Sequence, residues 1–323
     1  MGKKALQFGK RVLISLSIPF VLLLILFVFA GNSVSGSSVL LWLQLAIPPA
    51  ILAWGVCFSL KVGMWDFSVG GVIFLAGIIG GNLAKAAGME VWGVILVCPL
   101  CGAVLGCITG SIFRWGKIPS IVASVGALLL YECATEFVFD GNGVMLSDKV
   151  YVIYTFPCNV IIGVAAFAII YIIYNFTEFG YHVRAVGNGI QAAKMAGIQV
   201  DRVRWICFIL GGMFAGLYAV MTLGSAGVMV PIKNMSSMSL VFDGIICVFI
   251  ALALESQCNL IIGVYIGAFV AQIIKGGILA IGFPTMYQQC VIAVLLLIFM
   301  SANTEGRELL HRLQLRLGKT KAV

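Results

Sequence analysis

The chain has 323 residues, 62% of them hydrophobic and only 10% charged, with a mean hydropathy of +1.12. Soluble domains carry about 45–50% apolar and about 25% charged residues, so this composition excludes a water-facing surface and with it a soluble enzyme. Apolar residues fall in long blocks rather than in heptads or a three-residue repeat, which leaves an all-α, polytopic membrane bundle spanning residues 1–323 as a single domain.

A spanning helix needs about 20 mostly apolar residues, because each rises about 1.5 Å across about 30 Å of hydrocarbon. That ruler gives about ten spans, at roughly 12–31, 39–60, 68–88, 91–113, 119–139, 158–176, 203–224, 236–254, 258–281 and 284–302. The first lacks a small-residue cleavage site and is expected to be retained as a helix. Placing both termini on the cytoplasmic side puts sixteen of the 20 Lys and Arg residues inside, among them Lys61, Arg114, Lys117 and the basic tail 303–323. Lys85, Lys149, Lys233 and Lys275 are left outside or within a span. The formal charge of +8 then reads as topology and attraction to anionic membrane lipid, not as a nucleic-acid footprint.

In chain order, the first polar feature is Asp66, which with Ser68 precedes the third span and can cap its free N–H groups. With Gly70 and Gly71 behind it, such a helix start is also how transporters present backbone donors to a polar substrate. Cys98 and Cys101 have the spacing of a redox pair, yet they sit inside a span, where a thiol acts as a small hydrophobe. His182 and His311 are the only histidines, so no metal site is expected, and no catalytic residue or resident cofactor either. Gly102, Gly106 and Gly110 recur at four-residue spacing, as do Gly212 with Gly216 and Gly263 with Gly267, a pattern that lets helix backbones approach. Glu132 and Glu136 lie one turn apart at the outer end of the fifth span and read as interfacial. Asp140 to Pro157 is the longest outer loop, either a landing surface for a soluble protein or a plain connector.

The largest interruption of the apolar pattern, Thr177 to Arg204, carries Arg184, Lys194, Arg202 and Arg204 against Glu178 and Asp201, which places it on the inner face. Asn188 fits an N-cap, Gly189 to Ala196 a two-turn helix and Gly197 the position after its last turn. Small Ala192, Ala193 and Ala196 beside polar Gln191 and Lys194 would suit a groove on another protein; a solvated loop is the alternative. Further on, Asp243 and Lys275 are ionisable groups inside the membrane, where such groups face the bundle interior or a water path. Asp66, Ser68, Gly70, Asp243, Lys275 and Gln288 are accordingly the candidates for a translocation path.

The stretch from Tyr181 to Arg204 resembles the cytoplasmic coupling segment in the permease subunits of bacterial ABC importers of the ribose, galactose and xylose class, through Arg184, Ala185, Val186, Gly187, Asn188, Ala192, Ala193, Ala196, Gly197 and Ile198. Gly63-Met64-Trp65-Asp66-Phe67-Ser68-Val69-Gly70 is similar to a second motif of that family. The resemblance implies a permease of the bacterial cytoplasmic membrane that passes a monosaccharide such as ribose, galactose or xylose. It implies ATPase contact through Glu178, Gly180, Arg184, Gly187, Asn188, Ala192, Ala193, Lys194, Gly197 and Ile198. It also implies an extracytoplasmic sugar-binding protein and a second permease copy, identical by symmetry or, as the alternative, different. No Gly-x4-Gly-Lys-Ser/Thr phosphate loop occurs, so ATP and Mg belong to a separate ATPase subunit. Where the family carries a glycine-rich run, this chain has Phe249 to Asn259, with Leu254-Glu255-Ser256-Gln257 at the turn. A nucleoside or furanosyl signalling molecule as solute, or ion-coupled transport without ATP, are the alternatives.

Overall fold

The computed structural model describes residues 36–255 and 257–284, with 19–24, 26–27, 286–288, 290–291, 293–294 and 297. Among these the helices run α1 (Gly36–Leu45), α2 (Ile47–Lys61), α3 (Ser68–Ala86), α4 (Glu90–Gly116), α5 (Ser120–Phe137), α6 (Cys158–Phe176), α7 (Glu178–Asn188), α8 (Ile190–Met195), α9 (Val200–Ala226), α10 (Met238–Ala253) and α11 (Leu260–Ala280). Among the described residues seven helical segments are long and apolar enough to cross a membrane: α1 with α2 taken together, α3, α4, α5, α6, α9 and α11.

Two of the expected spans differ from these. The second is broken at Ala46, because Pro48 and Pro49 lack the N–H groups that would bond back to Gln44 and Leu45. The eighth is the 16-residue α10, about 24 Å long and so shorter than the hydrocarbon it was expected to cross. Most of the first and tenth lies outside the described residues, as do the tail 303–323 and Ser256 of the glycine-poor turn. The inner stretch begins with an eleven-residue helix, α7, that composition had concealed.

Among the described residues two compact units emerge, residues 44–245 and, second, those before 44 with those after 245. In the first, α4 and α9 form the most extensive seam. The glycine rows meet there: a methyl group added at Gly102 would collide with the Gly212 carbonyl oxygen, and one at Gly216 with that of Cys98. Backbone-to-backbone contact is what drives helix association where lipid is as apolar as leucine. The opposite face of α4 exposes Trp92, Leu96, Leu100, Val104, Ile108, Ile112 and Trp115, a row of near-constant four-residue spacing that faces the membrane. Both α4 and α9 have 27 residues, about 40 Å, so they overhang a hydrocarbon layer of about 30 Å. In the second unit, Gly263 and Gly267 of α11 lie against Ala251 and Cys247 of α10. Tyr265 there donates to the Leu43 carbonyl oxygen at 3.1 Å.

The loop from 138 to 157 is ordered. Its strand β1 (Val144–Met145) pairs antiparallel with β2 (Val228–Met229), Val144 opposite Met229. Asn82 donates to the Gly143 carbonyl (2.9 Å), Lys85 to that of Met145 (3.0 Å), and the Glu90 carboxylate accepts from the Ser147 N–H (2.9 Å). Four attachments therefore fix its course over the ends of α3 and α4.

Candidate functional site

The turn after α2 brings Asp66 to the start of α3, where its Oδ1 accepts from the Ser68 N–H (3.1 Å) and hydroxyl (2.6 Å). Asp66 and Ser68 are each 1% exposed. Burial pushes the Asp66 carboxyl up to about 6, against the downward pull of the Ser68 bonds. The turn is held by Trp65 stacked on Phe67 and by the Ser124 hydroxyl, which donates to the Trp65 carbonyl at 3.3 Å.

Two residues on, α3 meets the start of another helix. A methyl group at Gly70 would come within 2.8 Å of the Ser237 hydroxyl and 2.9 Å of Val241, so glycine is required for α3 to lie against the beginning of α10. Ser237 donates to Glu132, a carboxylate only 2% exposed on α5. The segment 228–237 returns from the β1–β2 pair to this point, tied to α5 by the Ile232 N–H on Thr135 (3.2 Å) and by an exposed ion pair between Lys233 and Glu136 (3.4 Å). Glu132 stands twelve residues, about 18 Å, along α5 from Ser120 and five residues, about 8 Å, from its other end at Phe137. The amino ends of α3 and α10 thus converge inside the bundle, each bonded to a buried carboxylate. A helix amino end carries partial positive charge, so this is a polar, dipole-focused patch inside the protein.

Of the expected path residues, Asp66, Ser68 and Gly70 come together here. Asp243 is half-buried in the second turn of α10, within electrostatic range of Tyr218. Lys275 and Gln288 belong to the other unit, where Gln288 Nε2 donates to the Lys275 carbonyl at 3.1 Å. Glu132 is buried against the start of α10, while Glu136 one turn on keeps an exposed partner. The pairing of Ser237 with Glu132 escaped the sequence because it joins residues 105 apart.

On the inner stretch, Thr177 caps α7 by accepting from the Gly180 N–H (3.3 Å). Asn188 is the last residue of α7 rather than an N-cap; extended Gly189 occupies the position before α8. Gly197 takes the left-handed conformation (φ 82°), with its N–H on the Lys194 carbonyl and that of Ile198 on the Ala193 carbonyl, the paired closure of a glycine-terminated helix. Three expected contact residues turn inward. Gly180 is buried at the α6–α7 corner, where a side chain would strike the Tyr174 carbonyl; Gly187 lies on the Lys61 carbonyl; Ala193 is 3% exposed. Arg184 is half-buried between the rings of Tyr174 and Tyr181, at 5.3 and 4.5 Å. Glu178, Asn188, Ala192, Lys194 and Gly197 are exposed and Ile198 half-buried.

Residues 38–300 match the model of a family described as the branched-chain amino acid transport system permease component. The chain belongs to this family. The permease is 26% identical over 256 residues to the autoinducer 2 import system permease protein of Photorhabdus luminescens, covering 76% of each chain. It is 25% identical over 299 residues to the ribose import permease protein of Bacillus subtilis (86% of this chain, 88% of the relative). With the galactofuranose transporter permease protein of Escherichia coli K12 it shares 27% identity over 276 residues (81% and 78%). No solved structure matches it. The matched stretch takes in both the α3–α10 meeting point and the α7–α8 segment of the permease.

Proposed function

We propose that this permease forms the membrane path of an ATP-driven importer for a monosaccharide such as ribose, galactose or xylose. The observation that carries the reading is the family match over residues 38–300, and the buried α3–α10 meeting point, where Asp66 and Glu132 hold the Ser68 and Ser237 hydroxyls, supplies the polar interior such a path would run beside. Relatives named for ribose and galactofuranose transport support it. A furanosyl signalling molecule is the second reading, favoured by the relative named for autoinducer 2 import.

In this reading about ten helices cross the bacterial cytoplasmic membrane with both ends inside. The exposed residues of the α7–α8 segment meet a separate ATPase subunit that holds ATP and Mg, and a soluble binding protein lands on the outer loop. A second permease chain, an identical copy by symmetry, completes the path. The test is uptake of labelled ribose into vesicles carrying the co-expressed complex with its ATPase and binding protein. Uptake that follows ATP supports the proposal; uptake by the permease alone under an ion gradient overturns it.

A further inference from the structure

The overhanging ends of α4 and α9 and the start of α5 enclose a cavity of about 430 Å³, within the about 300–1,000 Å³ range of small-ligand sites. Arg114, Lys117 and Arg204 line it, opposed by one carboxylate, Asp201. The Arg204 Nε is buried and has no hydrogen-bond partner among the described residues. Ser120, also at the wall, opens α5, whose first turn carries no side-chain cap and leaves backbone N–H groups for an anion. A second cavity of about 500 Å³ shares Arg114 and Asp201 and adds Lys194 and Arg202. In the first cavity three cations thus face one acid.

We propose that this basic cavity binds the phosphate of an anionic phospholipid. A phosphate supplies acceptor oxygens to the cations that line the cavity and to the α5 amino end, and guanidinium groups match its geometry. The lipid source follows from what lies alongside. The membrane-facing row of α4 ends at Trp115, 77% exposed and next to Arg114, so an apolar track for acyl chains leads to the cavity. Tryptophan at the boundary marks headgroup depth, and basic pockets between membrane helices at that depth recognise lipid headgroups. The proposal rests on the chain spanning a bilayer, and it stands whichever solute is carried.

Native mass spectrometry of the full chain in detergent, titrated with phosphatidylglycerol or with phosphatidylcholine of the same acyl chains, tests it. The chain should retain phosphatidylglycerol preferentially, and the double variant Arg114→Gln/Lys117→Gln should weaken that binding about thirtyfold, with phosphatidylcholine unaffected. Asp201→Asn should strengthen it about fivefold, a gain that misfolding cannot produce. Lys233→Gln, at the far end of α5, should change nothing. Undiminished phosphatidylglycerol binding by the double variant overturns the proposal. So does inorganic phosphate binding that responds to these substitutions without any preference between the two lipids, which would assign the cavity to a soluble anion.

Discussion

Glu132 holds the start of α10 through three bonds: its carboxylate accepts from the Ser237 hydroxyl at 2.6 Å, the Ser237 N–H at 3.0 Å and the Met235 N–H at 2.8 Å. The Glu132→Ala substitution strands all three donors in a water-poor interior and should cost about 3 kcal/mol or more. Glu132→Gln, which keeps one oxygen but turns an amide N–H₂ toward a donor, should fall between. Thermal unfolding in detergent orders the three proteins; equal midpoints for Glu132→Ala and the natural chain would refute the latch.

The glycine seam makes a contrasting pair of expectations. Gly212→Ala pushes a methyl group into the Gly102 carbonyl and should destabilise by about 1–3 kcal/mol, because both partners are backbone and neither can swing away. Gly126→Ala meets nothing within 4 Å and should be neutral or up to about 1 kcal/mol stabilising through helix propensity. The same melting assay reads both. A loss at Gly126 as large as that at Gly212 would show that the effect is not steric.

For coupling, the structure redirects mutagenesis from Ala193 to Ala192. Ala193→Trp overfills this chain's own packing and should lower yield and melting point. Ala192→Trp, on the exposed side of α8, should leave melting unchanged while ATP hydrolysis by the assembled importer loses its response to solute. A fully coupled Ala192→Trp complex would remove this surface from the ATPase contact.

Topology is open to thiol labelling once the exposed Cys133 and Cys290 are replaced. Asp148 and Gln191 are both exposed, so a cysteine at either is within reach of reagent from its own side. An impermeant maleimide added outside cells should modify Asp148→Cys and spare Gln191→Cys. The reverse pattern would invert the assignment.

Asp66 makes stability depend on pH. Its folded carboxyl sits at about 6, above the about 3.9 of an unfolded aspartate, so the folded state holds the proton more tightly. The resulting stability is complete below the unfolded value and is lost as pH rises through about 6. Melting points should therefore fall between pH 4.5 and pH 7, and Asp66→Asn should flatten that slope. An unaltered slope in the variant would place the titration elsewhere.

The long helices were plain in the sequence because about 20 apolar residues have few other fates, and the glycine rows announced a close seam without naming its partner. What stayed hidden depends on non-local pairing. α7 looks polar because only Gly180, Val183 and Val186 are buried along it, and the span centred on α10 looks complete because nothing local marks where Glu132 stops it. The inward turn of Gly180 and Ala193 is set by α6 and by the chain's own closing turn. A small residue that serves internal packing and one that serves a partner look alike when read singly.

The four attachments of the outer loop bear on recognition kinetics. A loop pinned by Asn82, Lys85, Glu90 and the β1–β2 pair has already lost its conformational freedom before any soluble protein arrives. In the proposed importer, a binding protein landing on that face would meet a loop with little ordering cost left to weaken or slow the encounter. Cutting the Lys85 or Glu90 tether would return that cost to the encounter.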